Sequence, residues 1–201
     1  MWEFLAYRLS VAAGIEMPEA RLLSLSGRGH TFAVKRFDRE GTRRRMYASA
    51  KTLLDMESEG ASYLDLAMAV QDNGAAGRVQ ADIEQLFRRA IFNVLVGNRD
   101  DHLRNHGFLR APTGWTLAPA FDVNPNPDKD VHVLALDDAD PTPDTSLLMA
   151  QHAYFRLDAY TAHAIIDKVR MAVRSWPDEA KRLGATSREI SLVGAVIDPN
   201  R

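Results

Sequence analysis

Cysteine is absent from this 201-residue chain. That excludes disulfides, zinc–thiolate centres and a cysteine nucleophile, and it suits a reducing cytoplasm. An excess of either charge is also missing: 25 Lys and Arg face 27 Asp and Glu, for a net charge of −2. Bulk attraction to nucleic acid or to an anionic membrane is therefore not expected. No apolar run approaches the ~20 residues of a membrane span, and no repeat or low-complexity stretch interrupts the chain. The first residues, Met1 to Arg8, are amphipathic. They do not read as a secretion signal, which would place a basic segment before an apolar one. A chain of this length is one domain or one and a half, with enough apolar surface for a core without staples.

Periodicity supplies the elements. Residues 2–13 read as a helix with Trp2, Leu5, Leu9 and Ala12 on one face and Gly14 as its stop. A chain that opens inside a packed element suggests that something normally precedes it. Residues 20–26 and 31–37 read as two strands about a Ser-Gly-Arg-Gly turn. Residues 38–48 are charged and read as a loop, with Arg43, Arg44 and Arg45 solvated rather than bound to phosphate. Residues 62–71 read as a helix, with Ser62 and Asp65 as a capping box. The cleanest helix covers 81–96: Ile83, Leu86, Phe87, Ala90, Ile91, Val94 and Leu95 recur at i, i+3, i+4 until Gly97. Short strands are expected at 107–110, 115–118 and 132–136. A Pro/Asn/Asp-rich loop runs from Asp122 to Lys129, and an acidic loop from Asp137 to Asp144. A helix over 159–175 is expected to stop at Pro177, and Thr186 with Glu189 caps a last helix to about Ile197.

The chemistry follows the 81–96 helix. In Gly97-Asn-Arg-Asp-Asp-His-Leu-Arg-Asn105, four residues separate Asp100 from Asn105. That is the spacing of a kinase catalytic loop, where the Asp takes the substrate hydroxyl proton and the Asn holds Mg²⁺. Asp122, in Leu117-Ala-Pro-Ala-Phe-Asp122, follows after a hairpin-like interval, as a second metal-binding Asp would. Mg²⁺ takes hard oxygens and keeps waters and substrate phosphates, so two protein ligands suffice. A polar turn after a helix explains one or two such residues but not four in six positions. Asp101 reads as a stabiliser of the loop rather than a chemical group. His102 has three open readings: contact with nucleotide phosphate, orientation of Asp100, or a structural hydrogen bond. Arg99 and Arg104 read as phosphate or loop contacts, and His106 as a surface residue.

With Asn93, Gly97-Asn98, Asp100-Asp101-His102, Asn105 and Trp115-x-Leu117-x-Pro119-x-x-Asp122 in view, the chain resembles the HipA-like serine/threonine kinases, toxins of bacterial toxin–antitoxin pairs. Glu3-Phe4-Leu5 through Ala13-Gly14-Ile15, Val34-Lys-Arg-Phe-Asp-Arg39 and Ser62-Tyr-Leu-Asp-Leu-Ala67 resemble further family stretches. The resemblance implies an α+β, mainly α fold: a protein-kinase-like helical C-lobe with a hinge and a small remnant of the N-lobe sheet. Residues 1–39 would be that remnant and 40–201 the helical lobe. It implies ATP and Mg²⁺ as cofactors, Asp100 as base, and Asn105 and Asp122 as metal ligands. Lys35, Arg36 and Phe37 would be the hinge that meets adenine, mainly through backbone, and His102 and Phe121 would line the nucleotide pocket. It further implies a cytoplasmic protein, a small HipB-like helix-turn-helix antitoxin as partner, and DNA met only through that antitoxin. The substrate would be a protein serine, on an aminoacyl-tRNA synthetase.

Two departures matter. Lys35 stands where the family has Glu. The family's Gly-rich phosphate loop and phosphate-pairing Lys would precede residue 1. Ala33-Val34-Lys35 and Gly27-x-Gly29 imitate both, but a kinase's Lys strand precedes the helix whose Glu it meets, and here the helix with Glu3 comes first. The chain therefore reads as a truncated kinase. The alternatives are a catalytically dead module that binds an antitoxin or a separate N-terminal half, and a metal-dependent phosphohydrolase built on Asp100, His102 and Asp122.

Overall fold

The computed structural model describes residues 1–26 and 29–201; the expected turn residues Gly27 and Arg28 lie outside them. Helix α1 (Trp2–Ala13) ends at Gly14, whose left-handed φ of 83° needs a residue without Cβ. Its buried face is Leu5, Ala6, Leu9, Ser10 and Ala13; Trp2 is half-buried and Ala12 is exposed. Small Ala6 and Ala13 allow close packing on helices further along the chain.

Strands β1 (Ala20–Ser26) and β2 (Gly29–Val34) pair antiparallel, with Ala20 opposite Val34 and Leu22 opposite Phe32. The second strand stops three residues before the expected end. One more bond forms, from Lys35 N–H to Glu19 O at 2.8 Å. Among the described residues Arg36 and Phe37 add no further backbone hydrogen bond, so the chain leaves the ladder after Lys35 as a connector. Beyond it the charged segment is not a plain loop. Strands β3 (Arg39–Glu40) and β4 (Arg43–Arg44) make a minimal hairpin about Gly41, with Arg43 to Arg45 exposed as expected. Strand β5 (Tyr47–Ser49) pairs with β6 (Gly107–Ala111), which pairs with β7 (Gly114–Leu117). The end of the connector is thereby sewn to the strand that follows Asn105.

The helical part contains α2 (Ala50–Leu54), α3 (Tyr63–Asn73), α4 (Val79–Val96), α5 (Thr145–Ala150), α6 (Ala159–Arg174), α7 (Trp176–Arg182) and α8 (Ser187–Val193). Ser62 and Asp65 form the capping box of α3, and Thr186 and Glu189 that of α8. Pro177 does not end a helix. It lies in the first turn of α7, where a missing N–H breaks no helical bond. Residues 132–136 form no strand; a single parallel bridge joins Ser62 to Ala135, with Tyr63 N–H to Ala135 O at 3.0 Å.

Helix α4 is the axis of the core. It packs on α1, α3, α5 and α6, and every residue from Arg89 to Val96 is buried. Phe87 meets Phe155 at 5.1 Å between centroids and 65° between planes, an edge-on pair. Two polar side chains of α4 hold the end of β7 and the residue after it. Asp82 accepts from Leu117 N–H at 2.9 Å, and Arg89 donates to Ala118 O at 2.7 Å. Burial lowers the Arg89 pKa to about 10, so the guanidinium stays charged at neutral pH.

Gly97 closes α4 in the left-handed region, φ 73°, and a Cβ there would meet the Cβ and carbonyl oxygen of Val196, both at 2.8 Å. Gly97→Ala is expected to cost about 1–3 kcal/mol, from the backbone strain and the clash. The measurement is a urea melt: a lower midpoint at unchanged slope is expected, and an unshifted midpoint would refute the clash.

Candidate active site at the end of helix α4

The loop after α4 is fixed from below by one buried carboxylate. Asp101 Oδ2 accepts from Tyr63 OH at 2.5 Å, Asn93 Nδ2 at 3.0 Å and His106 Nε2 at 2.7 Å. Asn98 Nδ2 donates to Asn93 Oδ1 at 3.1 Å, and the Tyr63 ring meets the His106 ring edge-on at 5.9 Å. All five residues are buried. Burial alone would raise the Asp101 pKa, but His106, Tyr63 and His132 outweigh it and the carboxyl stays lowered. Burial and then the Asp101 charge push the Tyr63 hydroxyl well up. His106, read from the sequence as a surface residue, is a buried partner of Asp101 and only 3% exposed.

Asp100 points the other way and is exposed. A 3-10 turn, Leu103–Asn105, follows; Leu103 is buried and its N–H bonds Ser58 Oγ at 3.1 Å. The facing wall starts at Ala118. Ala120 N–H bonds Glu16 O at 2.8 Å, and Asp122 adopts φ 56°. A left-handed backbone at a non-glycine residue is strained, and such strain concentrates at functional sites. The segment beyond is bolted back to the loop: Asn126 N–H bonds Gly97 O at 2.9 Å, and Arg99 Nη1 bonds Lys129 O.

Between the walls lies a polar cleft of about 310 Å³, lined by Asp100, Asn105, Asp122, Asn98, Asp128 and the turn 124–127. The structure thus brings Asp100, Asn105 and Asp122 together. A second hollow, of about 370 Å³, is lined by Val34 to Asp38, Tyr47 and Phe121. It holds Lys35, Arg36, Phe37 and Phe121, and Phe121 adjoins Asp122 in the chain. Phe37 packs on Phe121 at 5.7 Å and on Tyr47 at 6.1 Å, which gives the hollow an aromatic floor. Lys35 pairs with Glu19 at 3.2 Å, and Arg36 with Asp38 at 2.7 Å. The hydrogen bond from Arg36 lowers the Asp38 pKa to about 2. Among the described residues, the N–H groups of Arg36 and Phe37 make no backbone hydrogen bond.

His102 lines neither hollow. It stands before the 3-10 turn in extended backbone, with a buried, unpartnered Nδ1. The cleft also holds residues the sequence reading passed over: Asp128 and the turn around it were only a Pro/Asn/Asp-rich loop. Glu3, on α1, has its pKa raised by burial and then by the charge of Asp122. Among the described residues no three His, Asp or Glu side chains form a metal-binding cluster. A phosphohydrolase on Asp100, His102 and Asp122 therefore lacks its ligand set.

Adjacent aspartates should behave oppositely. Asp101→Ala strands three buried donors and is expected to cost about 3–5 kcal/mol, whereas Asp100→Ala should cost less than about 1 kcal/mol. Chemical melts of both variants check this; equal losses would refute it. His132, buried beside Arg99, Arg201 and Asp101, has its pKa lowered from 6.5 to about 4, chiefly by burial. It is neutral in the fold, so stability is full above about pH 6.5 and falls as pH drops toward 4. The loss at this site approaches about 3 kcal/mol. His132→Phe should flatten the melting temperature between pH 7 and 4.5; an unchanged slope would show that other groups carry it.

Comparison with known proteins gives the architecture its relatives. The model of the HipA-like C-terminal domain family matches residues 1–176. HipA of Shewanella oneidensis MR-1, solved with HipB and its operator DNA, superimposes with a TM-score of 0.75 at 21% identity, over 98% of this chain and 53% of that one. The proinflammatory kinase CtkA of Helicobacter pylori gives 0.56 at 16% identity, over 96% and 85%. A Haemophilus influenzae protein named "Putative kinase" is 28% identical over 158 residues, 63% of this chain and 42% of that protein. The chain thus spans about half the length of the Shewanella and Haemophilus relatives. The fold, mixed helix and small sheets, is similar to the HipA and CtkA kinase folds, and the chain belongs to the HipA-like C-terminal domain family.

Proposed function

We propose that this chain is the kinase lobe of a HipA-like toxin, with ATP- and Mg²⁺-dependent phosphorylation of a protein serine or threonine as its reaction. The carrying observation is the convergence of Asp100, Asn105 and Asp122 on one polar cleft. Asp100, exposed at its mouth, would orient the attacking hydroxyl and take its proton. Asn105 and Asp122 would hold the metal. Their donors are hard oxygens, and with no cluster of three charged or imidazole ligands among the described residues, phosphates and water would complete the shell. Mg²⁺, when bound, supplies charge neutralisation on the β- and γ-phosphates. Lys35 to Phe37 and Phe121 would receive the adenine: aromatic faces for stacking, and free N–H groups at Arg36 and Phe37 for a ring acceptor.

The split into an N-lobe remnant (1–39) and a helical lobe (40–201) would be one of function more than of packing, because α1 shares its buried face with α4 and α6. A HipB-like helix-turn-helix antitoxin is the proposed partner, on the precedent of the Shewanella complex, with DNA met through it. An aminoacyl-tRNA synthetase is the proposed substrate and the cytoplasm the proposed location. No described helix is long and apolar enough to cross a membrane. A second reading, a remnant that binds a partner without phosphoryl transfer, is favoured by one fact: among the described residues no Lys or Arg lines the polar cleft.

The test is calorimetric titration with ATP, with and without Mg²⁺, followed by a labelled-ATP transfer assay with the N-terminal half of the Shewanella HipA added in trans. Mg²⁺-dependent binding that is lost in Asn105→Ala and Asp122→Asn is expected. Transfer, where it occurs, should fall by about 10²–10⁴ in Asp100→Ala. Binding indifferent to Mg²⁺ and to both substitutions would overturn the site. Binding without any transfer would favour the remnant.

A further inference from the structure

The polar cleft has the wrong charge for a polyphosphate. Asp100, Asp122 and Asp128 line it, and among the described residues no cationic side chain does. One ammonium stands at its mouth. Lys129 Nζ is hydrogen-bonded to Asp100 Oδ1, the oxygen side of the proposed base. The two are far apart in sequence, yet the backbone that presents the lysine is fixed at the lysine and in the turn before it. Its carbonyl accepts from buried Arg99. Asn126 N–H holds Gly97 O at 2.9 Å, and Asp128 N–H closes onto Asn126 Oδ1 at 2.9 Å. The Cα is anchored while the four-carbon side chain is free to swing.

The pair itself is exchangeable. Lys129 is 39% and Asp100 54% exposed at the side chain, so water screens their attraction. A terminal phosphate carries more negative charge than one carboxylate and presents three acceptor oxygens to an ammonium with three donors.

We propose that Lys129 is the cation that meets the terminal phosphate of the bound nucleotide, and that its transfer from Asp100 to that phosphate frees Asp100 for the substrate hydroxyl. This rests on the nucleotide-site reading above. In the transfer step the hydroxyl oxygen bonds to the γ-phosphorus as the bond to the β–γ bridging oxygen breaks. The hydroxyl proton passes to Asp100, and ADP leaves with the bridging electron pair. Lys129 neither gains nor loses a proton; it balances charge on the equatorial oxygens. Without nucleotide the same lysine covers the base. Being a surface pair, its loss leaves the fold intact, so variants remain interpretable.

The test is titration of the full chain with Mg²⁺·ADP and with Mg²⁺·AMP-PNP, which carries a non-transferable terminal phosphate. Lys129→Met should weaken AMP-PNP about tenfold while ADP stays within about twofold, and Lys129→Arg should restore most of the loss. Equal weakening of both nucleotides, or no change in either, would overturn the role of Lys129 alone. Wild-type protein that binds neither nucleotide would overturn the nucleotide-site reading and this proposal with it. The ratio of the two affinities is what a merely structural lysine would not move.

Discussion

A carboxylate with no access to water must be matched donor for donor, or the fold gives way. Asp101 is in that position, and the rest of the site depends on how it is satisfied. Its three donors come from three places: Tyr63 at the start of α3, Asn93 in the last turn of α4, and His106 at the far end of the loop. The loop from Gly97 to Gly107 is therefore tied at its second turn and at its exit. Asp100 precedes the first tie by one residue and Asn105 precedes the second by one. Neither takes part in the network, yet both inherit its rigidity. Asp100 is exposed and Asn105 is buried, and setting each beside a buried, hydrogen-bonded neighbour holds its geometry.

The facing wall rides on the same helix. Asp82, Arg89 and Asn93 are spaced by seven and four residues, so they share one side of α4. Asp82 and Arg89 bind the backbone at Leu117 and Ala118, and Asn93 binds Asp101. One buried helix thus sets the separation of the two walls of the cleft. A shift of α4 would move both together, and their spacing would survive. Asp122 enters the cleft at the end of the segment this helix holds, in a backbone conformation that only a well-determined surrounding can impose.

What the sequence disclosed follows the range of the forces. Helices α1, α3, α4, α6 and α8 carry their own evidence in 3.6-residue periodicity, capping boxes and glycine stops, which are local signals. The kinase-like order of Asp100, Asn105 and Asp122 was legible for the same reason, since spacing along the chain is enough to suggest it. Elements held by distant partners were not. Strand β5 exists because β6 lies beside it, and helix α2 is a single short turn that starts where β5 ends. Pro177 was ambiguous on physical grounds, because the same residue ends one helix and begins another. His106 looked like a surface residue because its partner, Asp101, is visible only in three dimensions. Periodicity likewise cannot tell a buried polar stripe such as Asp82, Arg89 and Asn93 from a wet one.

The contrast between the two aspartates carries a last consequence. Asp101 is buried, and every donor around it is fixed. Asp100, the next residue, keeps an exchangeable partner in Lys129 at the water's edge. Strength and usefulness separate here. The buried network cannot change partners without unfolding the loop, so it can only position. The exposed pair contributes little to stability, and in the role proposed for Lys129 that weakness is what lets it open to a phosphate. Were the pairing reversed, with Asp100 buried and triply bonded, the carboxylate would hold its geometry and lose its freedom to accept a proton. A kinase-like cleft needs one group of each kind. The alternation of inward and outward side chains at residues 100 and 101 provides both within a single step of the chain.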